Sequence, residues 1–111
     1  MSVRVEFVER QYGPERLVCE AELVFEGEEF GPLQGMKLVG FMVWRGADEE
    51  QELYVTFPSR AIGVGTERRF FDYLRSTALD NRLEVVKQLK GWMLDQWRRK
   101  GQEQQQAEQV R

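Results

Sequence analysis

Residues 36–44 read MKLVGFMVW, a stretch in which both alternating sets of side chains are apolar. One set is Met36, Leu38, Met42 and Trp44, and the other is Val39, Phe41 and Val43. A strand of this kind is covered on both faces. A chain of 111 residues forms one domain, in which a single helix covers only one face of an antiparallel sheet. We therefore expect a second subunit to cover the other face of this strand.

Further strands are predicted on both sides of this stretch, because apolar and polar residues alternate with a period of two. They lie at residues 3–8, 17–25 and 53–57, and a short strand or extended arm follows at 68–74. The second of them places Leu17, Cys19, Ala21, Leu23 and Phe25 on one face. Between the strands, Pro32 predicts an irregular connection, since proline cannot donate to a ladder. An acidic loop is expected over 45–51, and Gly63 and Gly65 predict another loop.

The apolar spacing lengthens to that of a helix after Ser76 or Thr77, either of which can cap a helix. The predicted apolar stripe is Leu79, Leu83, Val86, Leu89, Met93 and Trp97. We expect the helix to end near Lys100 and Gly101, and the glutamine-rich residues 102–111 to be frayed or disordered. The predicted fold is a single α+β domain over residues 1–101, with an antiparallel sheet of about four to five strands followed by a long C-terminal helix packed on one face.

A second, smaller apolar patch on this helix contains Val85 and Trp92, away from the main stripe. A tryptophan in this position is typical of an interface or of a secondary core. The predicted dimer interface consists of Val39, Phe41, Val43, Val85 and Trp92. Lys90 falls within the main stripe, where it either extends its ammonium group to solvent or lies beside a bend at Gly91.

Several classes of chemistry are excluded by the absence of histidine and by the single cysteine, Cys19. An intrachain disulfide, a usual zinc site, and Ser-His or Cys-His nucleophiles cannot form. We expect Cys19 to be a small core residue, and the chain to have no catalytic activity, cofactor or metal. The first ten residues, MSVRVEFVER, lack the long hydrophobic stretch of a signal or anchor. A cytoplasmic protein with no membrane partner is expected, and no small-molecule substrate is identified.

Charge is distributed unevenly along the chain. Residues 1–59 carry five Lys or Arg against twelve Asp or Glu, whereas residues 60–111 carry eleven against seven. This asymmetry favours binding to a polyanion or self-association through opposite faces. The basic candidates for nucleic-acid contact are Arg60, Arg68, Arg69, Arg75, Arg98, Arg99 and Lys100. The first four could instead form ion pairs with the acidic first half, and the last three could complement a helix dipole.

The stretch over residues 21–60, AELVFEGEEFGPLQGMKLVGFMVWRGADEEQELYVTFPSR, resembles the SpoVG family of small bacterial regulators. The shared parts are an acidic turn leading to Phe30, an apolar strand with basic Lys37 near its start, and a strand running into Pro-Ser-Arg60, where the family has lysine. The resemblance continues more weakly through the following loop and helix. The His-Pro dipeptide that usually follows the family's loop is absent from residues 70–74, FFDYL.

This resemblance implies a homodimer built through the sheet that binds DNA or RNA without catalysis, and Lys37 matches the family's basic position. Lys37 could also pair with Glu20 or Glu22 on a neighbouring strand. The alternative function is a structural or protein–protein interaction module with no nucleic-acid binding. In that case Val85, Trp92 and the tail would contact another protein.

Overall fold

The computed structural model describes residues 3–10, 13–46, 52–78 and 80–110, and the side chains of these residues as far as 102. The regular elements are β1 (Val3–Val8), β2 (Leu17–Phe25), β3 (Lys37–Arg45), β4 (Leu53–Thr56), β5 (Ser59–Ile62), β6 (Arg69–Asp72) and α1 (Arg82–Val110). Glu28–Leu33 and Gly65–Glu67 form short 3-10 helices. The predicted loop over 45–51 lies largely outside the described residues, and so does Leu79.

The main sheet is an antiparallel meander in which β1, β2, β3 and β4 are neighbours in chain order. A separate hairpin pairs β5 with β6. Helix α1 follows both sheets and packs on one face of the meander. The fold is therefore α+β, as the sequence predicts.

The core lies between the meander and α1. Its buried apolar side chains are Cys19, Ala21, Leu23, Phe41, Val43, Val55, Phe57 and Met93. The alternation predicted for β2 is confirmed from Cys19 to Phe25, where Cys19, Ala21 and Leu23 are buried at every second position. Leu17, predicted on the same face, instead lies opposite Trp44, because the register shifts between Leu17 and Cys19. Phe41 and Phe57 meet edge to face, with ring centroids 5.3 Å apart. Phe57, the residue directly after β4, is thus part of the core.

An irregularity in β3 changes which side chains point into this core. Ala21 lies opposite Phe41, but Leu23 lies opposite Leu38, so between these pairs one residue of β2, Glu22, faces two of β3, Val39 and Gly40. This is a β-bulge, and Gly40 adopts φ +100 within it. The bulge shifts the alternation by one residue, which places Leu38 on the same side as Phe41 and Val43.

The assignment of Phe41 and Val43 to a dimer interface is therefore wrong. Both are fully buried within a single chain, under α1, because the bulge and the helix together enclose them. Val39, their predicted partner, is 49% exposed. The strand does have a second apolar side, but this side carries Met42 and Trp44.

The face of the meander opposite α1 is open on β3 and β4. Met42 lies opposite Thr56 and Trp44 lies opposite Tyr54, all on this outer face. Tyr54 is 48% exposed, and the indole N–H of Trp44 donates to the Thr56 hydroxyl at 2.8 Å. Within one chain this apolar face has no covering layer among the described residues.

Helix α1 begins later than predicted. Ser76 does not cap it, because its hydroxyl accepts a hydrogen bond from the Ala78 N–H at 3.1 Å in a local turn. The first helical residue is Arg82, and Leu83 is 82% exposed. Leu83 therefore does not belong to the buried stripe. The rest of the stripe that the structure describes, Val86, Leu89, Met93 and Trp97, packs against the core as predicted.

The same helix also continues beyond its predicted end, because its backbone remains helical from Gly101 to Val110. At 29 residues it is about 44 Å long, whereas the longest strands have nine residues and span about 30 Å. Near its middle, the Lys90 ammonium lies 5.2 Å from the Phe57 ring centroid. Lys90 thus stays in the stripe by placing its charge over an aromatic face.

Candidate nucleic-acid interface

The β5–β6 hairpin follows the main sheet through a constrained turn. Pro58, two residues after the end of β4, lies so close to Gly40 that a Cβ on Gly40 would lie 2.9 Å from the Pro58 Cβ. The Tyr73 N–H donates to the Pro58 carbonyl at 2.9 Å and closes the base of the hairpin. At its tip, Gly63 has φ +92, and a Cβ there would lie 2.8 Å from the Glu67 carbonyl oxygen. Every residue of β5 and β6 is exposed.

The register of this hairpin sorts its side chains into two faces. Arg60 lies opposite Phe71, and Ile62 lies opposite Arg69. Because alternate residues of a strand share a face, these four lie together, and we call them the arginine face. The other face carries Ser59, Ala61, Phe70 and Asp72.

Two further predicted arginines lie beside the hairpin. The Arg68 guanidinium carbon is 5.1 Å from the Phe70 ring centroid, so the charged group makes a cation–π contact with the ring. The Arg75 Nε donates to the Asp72 carbonyl at 2.6 Å. The structure therefore brings Arg60, Arg68, Arg69 and Arg75 into one region.

Four acidic residues of the first half pair with basic residues of the same half. The pairs are Arg4 with Glu6 and Glu26, Arg10 with Glu20, and Lys37 with Glu22. The hydrogen bond from Arg4 lowers the pKa of the Glu6 carboxyl. In the described part of the chain, the four arginines of the hairpin region form no ion pair. The alternative of internal ion pairs is thus not observed for these arginines.

Lys37 has a different environment from the hairpin arginines. Its ammonium nitrogen lies 3.0 Å from a Glu22 carboxylate oxygen, so the cross-strand pairing considered from the sequence is confirmed. Both partners lie on the outer face of the meander, with Lys37 opposite Val24. The structure does not place Lys37 with the hairpin arginines.

Arg98, Arg99 and Lys100 form a separate basic cluster. They lie well before the end of α1 at Val110, so they cannot complement the dipole of its last turn, and that alternative is wrong. Arg98 pairs with Asp95 at 3.6 Å. The Lys100 ammonium lies 5.8 Å from the Phe7 ring centroid and 5.7 Å from that of Trp97. This cluster lies beside Leu53 at the start of β4, whereas the hairpin follows the end of β4.

Exposed aromatic side chains near the hairpin were not predicted as site residues. Phe70 and Tyr73 are each 64% exposed, and Phe71 is 42% exposed. The sequence contains a signal for them, because Phe70 and Phe71 are consecutive. Consecutive side chains of a strand point to opposite faces, so in a two-stranded hairpin one of these rings lies on each face. This signal becomes readable only when residues 59–72 are known to form a hairpin.

The predicted interface residues of α1 lie at an open groove. Val85 and Trp92 line it together with Val3, Phe25 and Leu74. Trp92 also packs partly against the core of its own chain. Of the five predicted interface residues, Val39, Val85 and Trp92 thus keep some exposed or groove-lining surface, while the two buried residues of β3 do not.

No family model, curated protein or solved structure matches the chain. Across the described residues, no helix is both long enough and apolar enough to cross a membrane. The same residues contain no group of three or more Cys, Asp or Glu side chains arranged to hold a metal ion.

Proposed function

We propose that this chain is a non-catalytic regulatory protein of the cytoplasm that binds DNA or RNA as a homodimer, with the arginine face of the hairpin as its main contact. The observation that carries the proposal is the contrast in pairing. Four carboxylates of the first half form ion pairs with Arg4, Arg10 and Lys37, while Arg60 and Arg69 remain exposed without an ion pair in the described structure.

The geometry of the hairpin suits a nucleic-acid backbone. A two-stranded ribbon that carries exposed basic side chains can lie along a nucleic-acid backbone, where arginine contacts phosphate oxygens. Guanidinium groups bind phosphate through a planar fork of donors. Arg60 and Arg69 lie on the same face of two paired strands, so both can contact one backbone. The resemblance to the SpoVG family supports the same function.

The homodimer is supported by the open outer face of the meander. Trp44 and Tyr54 lie there, opposite the face that α1 covers. Burying these side chains against a second copy would remove apolar surface from water. Light scattering should give twice the mass of one chain, and Tyr54→Glu should shift the protein toward a single chain. A single-chain mass for the unmodified protein at all accessible concentrations would contradict the dimer.

Binding is tested by fluorescence anisotropy with labelled DNA and RNA over a range of salt. The logarithm of affinity should fall linearly with the logarithm of salt concentration, since phosphate contacts release counterions. The double variant Arg60→Ala, Arg69→Ala should bind more weakly, and its salt slope should be smaller by about 1 for each arginine that contacts phosphate.

The matched control is Arg16→Ala, which removes an exposed arginine beside the opposite end of β3. It should leave both affinity and slope close to those of the unmodified protein. Absence of binding at low salt would overturn the proposal. So would equal losses in the hairpin variant and in the control, because the hairpin would then have no special role.

A protein–protein interaction module remains the second candidate, because the apolar groove beside Val85 and Trp92 is open. Under this alternative nucleic acid does not bind at low salt, and the arginine variants leave every association unchanged. Variants of Trp92 would instead weaken an association that persists in high salt, as expected for apolar contacts.

A further inference from the structure

A cleft lies between the hairpin and the end of the main sheet. Its volume is about 600 Å³, within the range of sites that hold small organic groups. Its walls come from three parts of the fold. The outer face contributes Met42 and Thr56, the hairpin contributes Ser59, Phe70 and Asp72, and α1 contributes Lys90. The arginine face lies on the opposite side of the hairpin, so this cleft is distinct from it.

Two aromatic rings stand at this cleft. Phe70 and Tyr73 both line it, and each keeps 64% of its surface exposed. Exposed rings of this kind are a platform for nucleobases, since every base presents a flat π-face for stacking. Phe70 lies on the hairpin face opposite Arg60 and Arg69, so a strand whose phosphates contact the arginine face reaches these rings by passing over the edge of the hairpin.

The charges around the cleft match the parts of a nucleotide. The Lys90 ammonium, 5.2 Å from the Phe57 ring centroid, forms no ion pair within the described residues and offers a cation to phosphate. Arg68 lies against Phe70 and supplies a second cation next to the ring. Asp72 also lines the cleft, and its carboxylate can accept hydrogen bonds from a base amino group.

We propose that this cleft receives one unstacked base of a single-stranded nucleic acid, which stacks on Phe70 and Tyr73 while the adjoining phosphates contact Arg68 and Lys90. This inference rests on the proposed function and specifies its ligand. A base inside a duplex has both faces covered by its neighbours, so it cannot enter the cleft without leaving the stack. Single strands are therefore preferred to duplexes.

The test compares three probes of about ten nucleotides in fluorescence anisotropy at low salt. They are labelled oligocytidylate, a duplex of mixed sequence, and an abasic strand that keeps the phosphates and sugars but lacks bases. The unmodified protein should bind oligocytidylate more tightly than either other probe. The variant Phe70→Leu, Tyr73→Leu should lose roughly tenfold or more in affinity for oligocytidylate, and little for the abasic strand.

The control variant Phe70→Tyr, Tyr73→Phe keeps both rings, and its affinity for oligocytidylate should remain close to that of the unmodified protein. Circular dichroism of each variant establishes that it is folded. If the leucine variant binds oligocytidylate as the unmodified protein does, or if the abasic strand binds equally well, the cleft holds no base and the inference is wrong.

Two further outcomes are distinguishable. Cytidine monophosphate that binds as tightly as the oligonucleotide would overturn the inference, because the cleft would then hold a free nucleotide. If none of the three probes binds at low salt, the proposed function itself fails. Binding of the probes without dependence on the rings refutes only the inference about the cleft.

Discussion

Replacing Phe41 with alanine should destabilise the isolated chain strongly, although its sequence pattern assigns it to an interface. Its side chain is fully buried, and its ring meets that of Phe57 at a centroid distance of 5.3 Å and an angle of 78°. A buried Phe→Ala substitution costs about 3–5 kcal/mol of unfolding free energy. The edge-to-face ring contact accounts for about 0.5–1.5 kcal/mol of this loss.

The matched substitution is Val39→Ala, two residues earlier in the same strand. Val39 is 49% exposed, so this change should alter the unfolding free energy by no more than about 0.5 kcal/mol. Urea unfolding followed by tryptophan fluorescence measures both values, provided that the slope with urea is unchanged. Should Phe41→Ala prevent folding altogether, Phe41→Leu should give a smaller but measurable loss.

The core position of Phe41 is wrong if Phe41→Ala changes the unfolding free energy as little as Val39→Ala does. The same position is wrong if the stability lost in Phe41→Ala depends strongly on protein concentration while that lost in Val39→Ala does not. Such a dependence would mean that Phe41 is buried by a second chain, as the unbroken alternation of β3 predicts.

Three other perturbations follow from local geometry. Gly40→Ala should lower the unfolding free energy measured in urea by about 1–3 kcal/mol, because Gly40 has a φ of +100 and an added Cβ would contact Pro58. Gly91→Ala, on the open surface of the helix, should instead raise it by up to about 1 kcal/mol. Equal effects of the two substitutions would contradict the bulge. Burial raises the pKa of the Cys19 thiol from 9.0 to about 11, so its contribution to stability is complete below pH 9 and is lost as pH rises to about 11. Urea midpoints should fall less steeply over this window in Cys19→Ala, and identical slopes would disprove the effect. Asp72→Ala removes both the charge and the hydrogen-bond acceptor, so it should strengthen binding to all oligonucleotides but abolish a preference for oligocytidylate, whose bases carry an amino group, over oligothymidylate. An undiminished preference would exclude Asp72 from base contact.

Much of the fold is predictable from the sequence, because its strands and its helix bury residues at regular spacing. The buried positions of β2 are every second residue, and Val86, Leu89 and Met93 follow the helical period. These patterns reflect burial on one face, which sequence records directly. The α+β class follows from the order in which the two periods occur.

The bulge in β3 is not predictable from the spacing of apolar residues. Both alternating sets of the strand are apolar, so nothing in the pattern shows that the alternation shifts at Gly40. A glycine within a strand is compatible with a bulge, but it does not state which neighbour is the extra residue. Phe41 and Val43 are therefore predicted at an interface but lie in the core.

The limits of α1 were missed for a different reason. Leu83 has the right spacing for the stripe, but it lies in the first turn, where the helix is not covered by the sheet. At the other end, glutamine and glutamate are good helix formers but polar, so helix propensity favours continuation beyond Gly101 while the apolar pattern of the sequence gives no signal there. Apolar periodicity reports the packed part of a helix and not its full length.

The candidate site was only partly predictable. The cluster of arginines over 60–75 is visible in the sequence, and the structure brings these four residues together. Whether a charge is free or paired depends on neighbours across strands, as the Lys37–Glu22 contact shows. The cleft with Phe70 and Tyr73 depends on the packing of three separated segments, which no local pattern records.

The length of α1 relative to the sheet has a hydrodynamic consequence. The radius of gyration is 16.2 Å, compared with about 13 Å for a compact chain of the same length. With extents of 54 × 41 × 28 Å, a lone molecule will diffuse more slowly than a sphere of equal mass and will leave a gel-filtration column early. A mass read from gel filtration against globular standards is therefore too high, and an elongated monomer can elute where a compact dimer is expected.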